Sequence, residues 1–185
     1  MYTIIPHENN PALRLVAQPI PILDIGSKKI RTLIMDMKKL LAVEEHGVAI
    51  AASQVGEALQ LFIVSGRALA ERDADSKKKI APTRTLEVSD QIYINPVLTK
   101  LSRGKRNKHE GCLSVRGLWG MVPRTEKATI TYYDETGKFC TRGASGFLAH
   151  IFQHEMDHLA GILYTDKAVE LHEDTPDSEK SDAHE

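Results

Sequence analysis

The stretch that organises this sequence is Ser145-Gly146-Phe147-Leu148-Ala149-His150-Ile151-Phe152-Gln153-His154-Glu155-Met156-Asp157-His158-Leu159-Ala160-Gly161. Its apolar residues recur at helical spacing along two neighbouring stripes, which predicts a helix from about Ser145 to Ala160. Gly161 follows the last apolar residues, where glycine commonly ends a helix. The sequence therefore predicts a late helix with one apolar face.

The same helix carries a candidate metal site. His154 and His158 are four residues apart, so their side chains lie one turn apart on the same side and can bind one ion. Glu155, beside the first histidine, is then held at the edge of that ion without binding it. The pattern H-E-x-x-H also occurs by chance, so the interpretation depends on a third ligand.

Cys112, within Glu110-Gly111-Cys112-Leu113-Ser114, is the candidate third ligand. One thiolate and two imidazoles leave a tetrahedral ion one open position, which is typical of a catalytic site. Such an ion lowers the pKa of bound water to about 7, and Glu155 can take the water proton and later donate it. A thiolate ligand suits iron, cobalt and nickel as well as zinc. Taken alone, a cysteine is more often a small buried residue.

Two groups are candidates for binding the negative charge of a tetrahedral intermediate. The side-chain amide of Gln54 ends the run Gly47-Val48-Ala49-Ile50-Ala51-Ala52-Ser53-Gln54, and the backbone N–H of Leu113 follows Cys112. The sequence alone does not exclude a surface amide at Gln54, and the small residues are also consistent with tight backbone packing.

The composition limits the classes of function. The chain has 185 residues, of which 42% are hydrophobic, so we assign one domain to residues 1–167 and an acidic, disordered tail to residues 168–185. With 24 Lys plus Arg against 25 Asp plus Glu, no net charge favours DNA or a membrane surface. We identify no membrane-spanning stretch and no signal peptide. Cys112 and Cys140 leave one disulfide open but form no disulfide framework, which favours a reducing cytosol.

The rest of the pattern predicts an early amphipathic helix and several short strands. The helix begins after Ser27 and runs to about residue 44. Strands are predicted at 61–64, at 91–95 before a stop at Pro96, and in a hairpin at 128–133 and 138–141. Residues 66–90 are expected to form an exposed excursion, and residues 100–108 a basic, turn-rich loop.

Three segments in this order resemble the peptide deformylase family: Gly47 to Gln54, Glu110 to Ser114, and Gln153 to Leu159. The likeness extends from about Pro11 to Asp166. It implies an α+β fold, a single domain in which antiparallel strands pack around a central metal-binding helix. It also implies a cytoplasmic, bacterial hydrolase that removes the N-formyl group from the initiator methionine of nascent polypeptides. The substrate would be an N-formylmethionyl peptide, and the basic loop would contact the ribosome transiently.

The resemblance also assigns roles to residues. It implies Cys112, His154 and His158 as ligands of one divalent ion, natively Fe2+, with Zn2+, Ni2+ or Co2+ in purified protein. Glu155 would be general base and acid, Gln54 and the Leu113 N–H would bind the oxyanion, and Glu110 would pair with Arg124. The expected substrate-binding residues are Gly47, Val48, Ala49, Phe147, His150 and Ile151.

Five positions depart from the family pattern and bear on substrate preference rather than on reaction type: Ala49, Ile50, Arg116, Trp119 and His150. Two other interpretations therefore stay open. One is a deformylase-like protein with altered or lost substrate preference, in the extreme a relative that binds metal or peptide without turnover. The other is a zincin-type metallopeptidase, which would take a third ligand downstream, at Glu170 or Glu173.

Overall fold

The structure is a computed structural model that describes residues 2–69 and 89–173. In this part of the chain, helices α1 (Lys28–Val43) and α2 (Gly146–Leu159) accompany eight strands. The strands are β1 (Ala49–Ala51), β2 (Leu61–Val64), β3 (Gln91–Leu101), β4 (Lys105–Cys112), β5 (Val115–Thr125), β6 (Lys127–Tyr133), β7 (Phe139–Ser145) and β8 (Glu170–Glu173). They form a five-stranded sheet in the order β1-β2-β3-β6-β7 and a three-stranded sheet in the order β4-β5-β8.

The five-stranded sheet is antiparallel and has a helix on each face. Ile63 of β2 packs in one core cluster with residues of α1, whereas its neighbour Phe62 packs in a second cluster with Phe152 of α2. Successive side chains of a strand point to opposite faces, so a strand covered on both faces is a continuous apolar run. The α+β fold with antiparallel strands around α2 is therefore confirmed.

Helix α1 begins where the sequence predicts. The hydroxyl of Ser27 accepts a hydrogen bond from the backbone N–H of Ile30, which satisfies one of the free donors at the start of a helix. Its buried residues are those of the predicted apolar stripe: Ile30, Leu33, Ile34, Met37 and Leu41.

Helix α2 is tied to the three-stranded sheet through Gln153. The Gln153 side chain accepts a hydrogen bond from the backbone N–H of Thr125 and donates one to the Thr125 carbonyl, each at 2.9 Å. Thr125 is the last residue of β5 and pairs with Lys105 at the start of β4, so Gln153 holds the end of the hairpin that is remote from Cys112. The end of β4 is held close to the two histidines of α2 by Glu110, whose carboxylate lies 2.7 Å from His150 Nε2 and 2.8 Å from His154 Nδ1.

The C-terminus of α2 is also as predicted. Gly161 has a φ of 73°, and a Cβ at this position would lie 2.9 Å from the carbonyl oxygen of Arg14. Glycine is therefore required both by its backbone conformation and by the close approach of the N-terminal segment.

Strand β3 does not end at Pro96, so that prediction is wrong. The register with β6 shifts between Ile94 and Val97, and Asn95 has a φ of 48°. A proline without an N–H fits at such a bulge, since the ladder is interrupted there in any case.

The basic segment 100–108 is not a turn-rich loop. It consists of the end of β3 and the start of β4, with residues 102–104 between the two strands. Its side chains are mostly exposed on both faces, so the alternation of apolar and polar residues that marks a strand is missing.

Two further predictions concern the chain end and the excursion. Glu170–Glu173 pairs with β5, although the predicted disordered tail begins at residue 168. This strand lies at the exposed edge of the sheet, and its residues do not alternate between apolar and polar. The sequence therefore gives no sign that these residues form a strand. Residues 174–185 and most of the excursion, residues 70–88, lie outside the described residues. The start of the excursion is not exposed as predicted, because Ala68 and Leu69 are buried in the core cluster of Phe152. Cys112 and Cys140 are both free thiols, and no described helix is long and apolar enough to span a bilayer.

Candidate metal centre

The three predicted ligands come together at one point. One ligand atom from each of Cys112, His154 and His158 lies within 4.8 Å of the other two. The thiol comes from the end of β4 and both imidazoles from α2, where a spacing of four places them on one side. The separation between Cys112 Sγ and His158 Nε2 is 3.3 Å. One sulfur and two nitrogens at this spacing fit a single divalent ion with a tetrahedral preference.

Glu110 orients the first imidazole. His154 Nδ1 lies 2.8 Å from Glu110 Oε2, so Nδ1 carries the proton and Nε2 keeps its lone pair for an ion. His158 Nδ1 is buried and has no hydrogen-bond partner within residues 2–69 and 89–173. The two rings stand nearly perpendicular, with centroids 4.9 Å apart.

The Cys112 thiol is set up to ionise. Burial by itself would raise its pKa, but the neighbouring His158 and His154 lower the pKa well below that of an ordinary cysteine. The pKa of His154 is raised by its hydrogen bonds to Cys112 and Glu110, which outweigh burial. A thiolate beside imidazoles is the form that binds a metal ion, and binding would release the remaining protons.

Glu155 is a buried carboxyl group next to the ligands. It is 3% exposed, and its Oε2 has no hydrogen-bond partner in the described part of the chain. Burial raises its pKa, and the nearby His154 and His158 offset this only in part. A carboxyl whose pKa is moved toward neutrality can both accept and donate a proton, as a general base and acid must.

Gln54 is buried rather than a surface amide. Its Oε1 accepts a hydrogen bond from the Ala51 N–H at 2.8 Å, which turns its amide nitrogen toward the site. That nitrogen donates to Cys112 Sγ and to Ser114 Oγ, each at 3.4 Å. Leu113 is half-buried and lines the same cavity as Gln54. Both predicted oxyanion donors thus lie beside the candidate ligands.

A cavity of about 450 Å³ opens in front of these groups. Five of the predicted substrate-binding residues line it: Val48, Ala49, Phe147, His150 and Ile151. Gly47 does not line the cavity. Gly47 is buried, and its carbonyl accepts a hydrogen bond from the guanidinium of Arg67. It therefore supports the segment that carries the lining residues Val48 and Ala49.

Two of the residues that differ from the family pattern, Trp119 and Arg116, lie at the edge of the cavity. Trp119 is 38% exposed and lies over Gly111, where a Cβ would be only 3.0 Å from the indole ring. Arg116 also lines the cavity and forms an ion pair with Glu44 at 2.6 Å.

Glu110 lies at the centre of a buried ionic network. Its predicted pair with Arg124 is confirmed, because Arg124 Nε and Nη2 donate to its two oxygens at 2.6 and 3.0 Å. His150 Nε2 lies 2.7 Å from Oε1, and Arg124 reaches on to Asp157 at 2.6 Å. Despite burial, the bonds from Arg124, His150 and His154 keep the pKa of Glu110 far below its usual range.

Sequence reasoning missed the parts that His150 and Asp157 play in this network. Both lie within one turn of His154 on α2, at four residues before and three after, so helical spacing places them close to that ligand. The spacing does not reveal their partners, because Glu110 and Arg124 belong to a distant hairpin.

Two imidazoles from one helix, a thiol from a hairpin and a buried carboxyl beside one cavity are typical of a mononuclear metallohydrolase. Comparison with known proteins identifies the family of metallohydrolases. The family model of polypeptide deformylase matches residues 1–174. The chain therefore belongs to the peptide deformylase family.

Individual relatives agree with this assignment. A peptide deformylase of Chloroflexus aurantiacus (strain ATCC 29366) is 35% identical over 166 residues, 89% of this chain and 84% of that protein. The chloroplastic/mitochondrial peptide deformylase 1A of Arabidopsis thaliana is 36% identical over 168 residues, 86% of this chain and 59% of that protein.

Solved structures give the same result. A peptide deformylase from Legionella pneumophila superposes with a TM-score of 0.72 at 30% identity, covering 90% of this chain and 85% of that one. The enzyme from Synechococcus elongatus, in complex with actinonin, gives a TM-score of 0.73 at 28% identity over 91% of this chain and 79% of that one.

Proposed function

We propose that this chain is a peptide deformylase, a metal-dependent hydrolase that removes the N-formyl group from the initiator methionine of nascent polypeptides and releases formate. Membership of the family supports the reaction. The observation that carries it is the grouping of Cys112, His154 and His158 as ligands of one ion, beside a cavity that Cys112, His154 and Glu155 line.

Cys112, His154 and His158 would hold one divalent ion. When bound, such an ion lowers the pKa of water and polarises the formyl carbonyl. We propose Fe2+ as the native ion, with Zn2+, Ni2+ or Co2+ in purified protein, because a mixed thiolate and imidazole donor set suits all four.

Glu155 would move the proton. It takes a proton from the attacking water, whose oxygen bonds to the formyl carbon, and returns it to the amine nitrogen as the C–N bond breaks. The burial of Glu155 and its raised pKa support this double role.

Gln54 and the Leu113 N–H would donate hydrogen bonds to the oxygen of the tetrahedral intermediate. The fixed orientation of the Gln54 amide supports its part, because the bond from Ala51 already sets its nitrogen toward Cys112. Such preorganised donors need no rearrangement as charge develops.

The methionine side chain would enter the apolar part of the cavity. Val48, Phe147 and Ile151 provide this wall, with Ala49 beside them. The peptide would follow in an extended conformation and add to a sheet edge. Arg116 and Trp119 stand where the residues beyond methionine would pass, so substrate preference is the property in which this chain would differ from its relatives.

The zincin-type alternative has less support. Glu170 and Glu173 lie on the exposed strand β8, and neither belongs to the described group that could hold an ion. Cys112 belongs to that group and lies upstream of the helix.

For partners, we propose transient contact with the ribosome in a cytoplasmic location. Around the β3–β4 turn, five cations have no carboxylate partner within the described ranges: Lys100, Arg103, Lys105, Lys108 and Lys127. Such a cluster fits an RNA backbone. Cosedimentation with ribosomes at low salt, lost when Arg103 and Lys105 are changed to Glu, would support the contact, and unchanged cosedimentation would contradict it.

The reaction is tested by formate release from formyl-Met-Ala peptides, with the protein loaded with Fe2+ and kept anaerobic. We expect stoichiometric formate and free methionyl peptide. An acetylated peptide of the same sequence is the matched control, and we expect it to react far more slowly. Cleavage of an internal peptide bond without formate would instead favour the peptidase.

A further inference from the structure

His150 and the candidate ligand His154 share one carboxylate. They lie one turn apart on α2, with His150 Nε2 at 2.7 Å from Glu110 Oε1 and His154 Nδ1 at 2.8 Å from Glu110 Oε2. An ionised carboxylate only accepts hydrogen bonds, so both rings donate to it. Each histidine therefore occupies its own oxygen of Glu110.

We propose that His150 is a positioning residue for His154 that acts through Glu110. The inference rests on the metal site of the proposed function. Arg124 already holds both oxygens from the hairpin, and His150 adds a bond to Oε1 from α2. This bond fixes the carboxylate relative to α2, so that Oε2 stays aimed at Nδ1 of His154. The ring of His154 is then held with Nε2 turned toward the ion. Partners of this kind orient a metal ligand and raise its basicity.

The ion pair with Arg124 does not make His150 redundant. Glu110 and Arg124 both belong to the β4–β5 hairpin, so their pair holds the carboxylate within the sheet. Arg124 reaches α2 at Asp157, but this bond does not involve Glu110. Among the described residues, Glu110 is linked to α2 by hydrogen bonds from His150 and His154. His150 therefore fixes the carboxylate relative to the helix that carries the ligands.

A purely lining role for His150 makes a different prediction. His150 borders the cavity, and its ring lies 6.0 Å from that of Phe147, edge to face. A leucine would serve as well in an apolar wall. If lining were its whole role, losing the imidazole would change the KM for the peptide and leave the affinity for metal unchanged.

The test compares metal binding in His150→Leu, His150→Gln and the control Phe147→Leu. Phe147 lies on the same helix and lines the same cavity, but no hydrogen bond links it to Glu110. The measurements are the Co2+ dissociation constant and the visible absorption of the Co2+-loaded protein. For His150→Leu we expect affinity weaker by about 10- to 100-fold and shifted absorption bands. His150→Gln retains a hydrogen-bond donor, so it should recover part of the Co2+ affinity and part of the wild-type absorption spectrum. Phe147→Leu should change only the KM for the peptide.

Wild-type Co2+ affinity and an unchanged spectrum in His150→Leu would overturn the proposal. If that variant does not fold, as judged by circular dichroism, His150→Asn replaces it, because its amide is too short to reach Glu110. Affinity equal to wild type in that variant would overturn the proposal equally. Formate release by the wild type is scored separately. A wild-type protein that releases no formate would contradict the proposed function. If the wild-type protein is active and the His150 variants bind Co2+ as it does, only the positioning role of His150 is contradicted.

Discussion

At the scale of residues, the site depends on the contrast between two buried carboxyl groups. Glu110 accepts bonds from Arg124, His150 and His154, and these lower its pKa. Glu155 has an oxygen without a partner in the described structure, and burial raises its pKa. When the environment separates the pKa values of two carboxyl groups in this way, the two groups commonly have different roles. One stays ionised, and the other accepts and donates protons.

Changing Glu155 to Gln tests the proton-moving role. Gln has nearly the same shape but neither takes nor returns a proton. We expect formate release to fall by at least about 100-fold, within the range of general acid–base contributions, with metal content unchanged. Substantial formate release by a metal-replete variant would contradict the role.

Changing Cys112 to Ala separates the deformylase from the zincin-type peptidase. Without the thiolate, two imidazoles remain, and we expect the protein to lose stoichiometric metal under dialysis. Cys140→Ala is the matched control, because this second free thiol lies on β7, away from the ligand group. Full retention of metal by the Cys112 variant would favour the peptidase.

Much of the site at this scale can be predicted from the sequence. The spacing of His154 and His158 is a local property of a helix, and Cys112 lies in a short motif next to Glu110. The bond from His150 to Glu110 cannot be predicted, because it depends on how a hairpin packs against α2. For that reason the sequence assigns His150 only to the cavity wall.

At the scale of elements, the decisive contact is the docking of α2 against β5 by Gln153. Its amide makes paired hydrogen bonds with the backbone of Thr125 and also donates to the Ala149 carbonyl at 2.8 Å. A buried amide whose donors and acceptor are all paired favours one orientation of helix and strand. Gln153 fixes the end of the β4–β5 hairpin that is remote from the thiol, and the bonds of His150 and His154 to Glu110 hold the end that carries Cys112.

Changing Gln153 to Leu is expected to destabilise the fold. The buried N–H and carbonyl of Thr125 would lose their partner, at a cost of about 1–3 kcal/mol for each unsatisfied group. The free energy of unfolding in urea measures the loss. Gln18→Leu is the control, because this exposed side chain donates to the nearby Val16 carbonyl and has no other partner among the described residues, and such a change is usually within about 0.5 kcal/mol. Equal stability of the two variants would contradict the docking role.

The elements also show where sequence patterns fail. Helix α1 and strand β2 are predictable because burial imposes a clear apolar pattern on them. Strand β3 continues past Pro96 because a bulge at Asn95 absorbs the missing N–H. Strands β4 and β8 are mostly exposed and polar, so their order comes from pairing with β5 rather than from their own composition.

At the scale of the whole molecule, a sheet between two helices supports a smaller sheet that carries the thiol. Strand β8 completes the smaller sheet: Val169 N–H donates to the Met121 carbonyl at 2.8 Å, and Leu171 packs against Gly120. The predicted domain end at residue 167 would remove this strand.

Two truncated chains test where the folded domain ends. Ending the chain at Lys167 should destabilise it by about 1–3 kcal/mol, because β5 would lose its edge partner. Ending it at Glu173 should leave the free energy of unfolding within about 0.5 kcal/mol of the full chain. Equal stability of the two truncated chains would show that β8 contributes nothing and restore the boundary at residue 167.

The function proposed for this chain requires that a sulfur from the hairpin and two nitrogens from α2 bind one ion. X-ray absorption at the metal edge of the Zn2+-loaded protein measures these bonds. We expect one sulfur at about 2.3 Å and two imidazole nitrogens at about 2.0–2.1 Å, with one lighter ligand completing the shell. A shell that contains no sulfur would contradict this expectation.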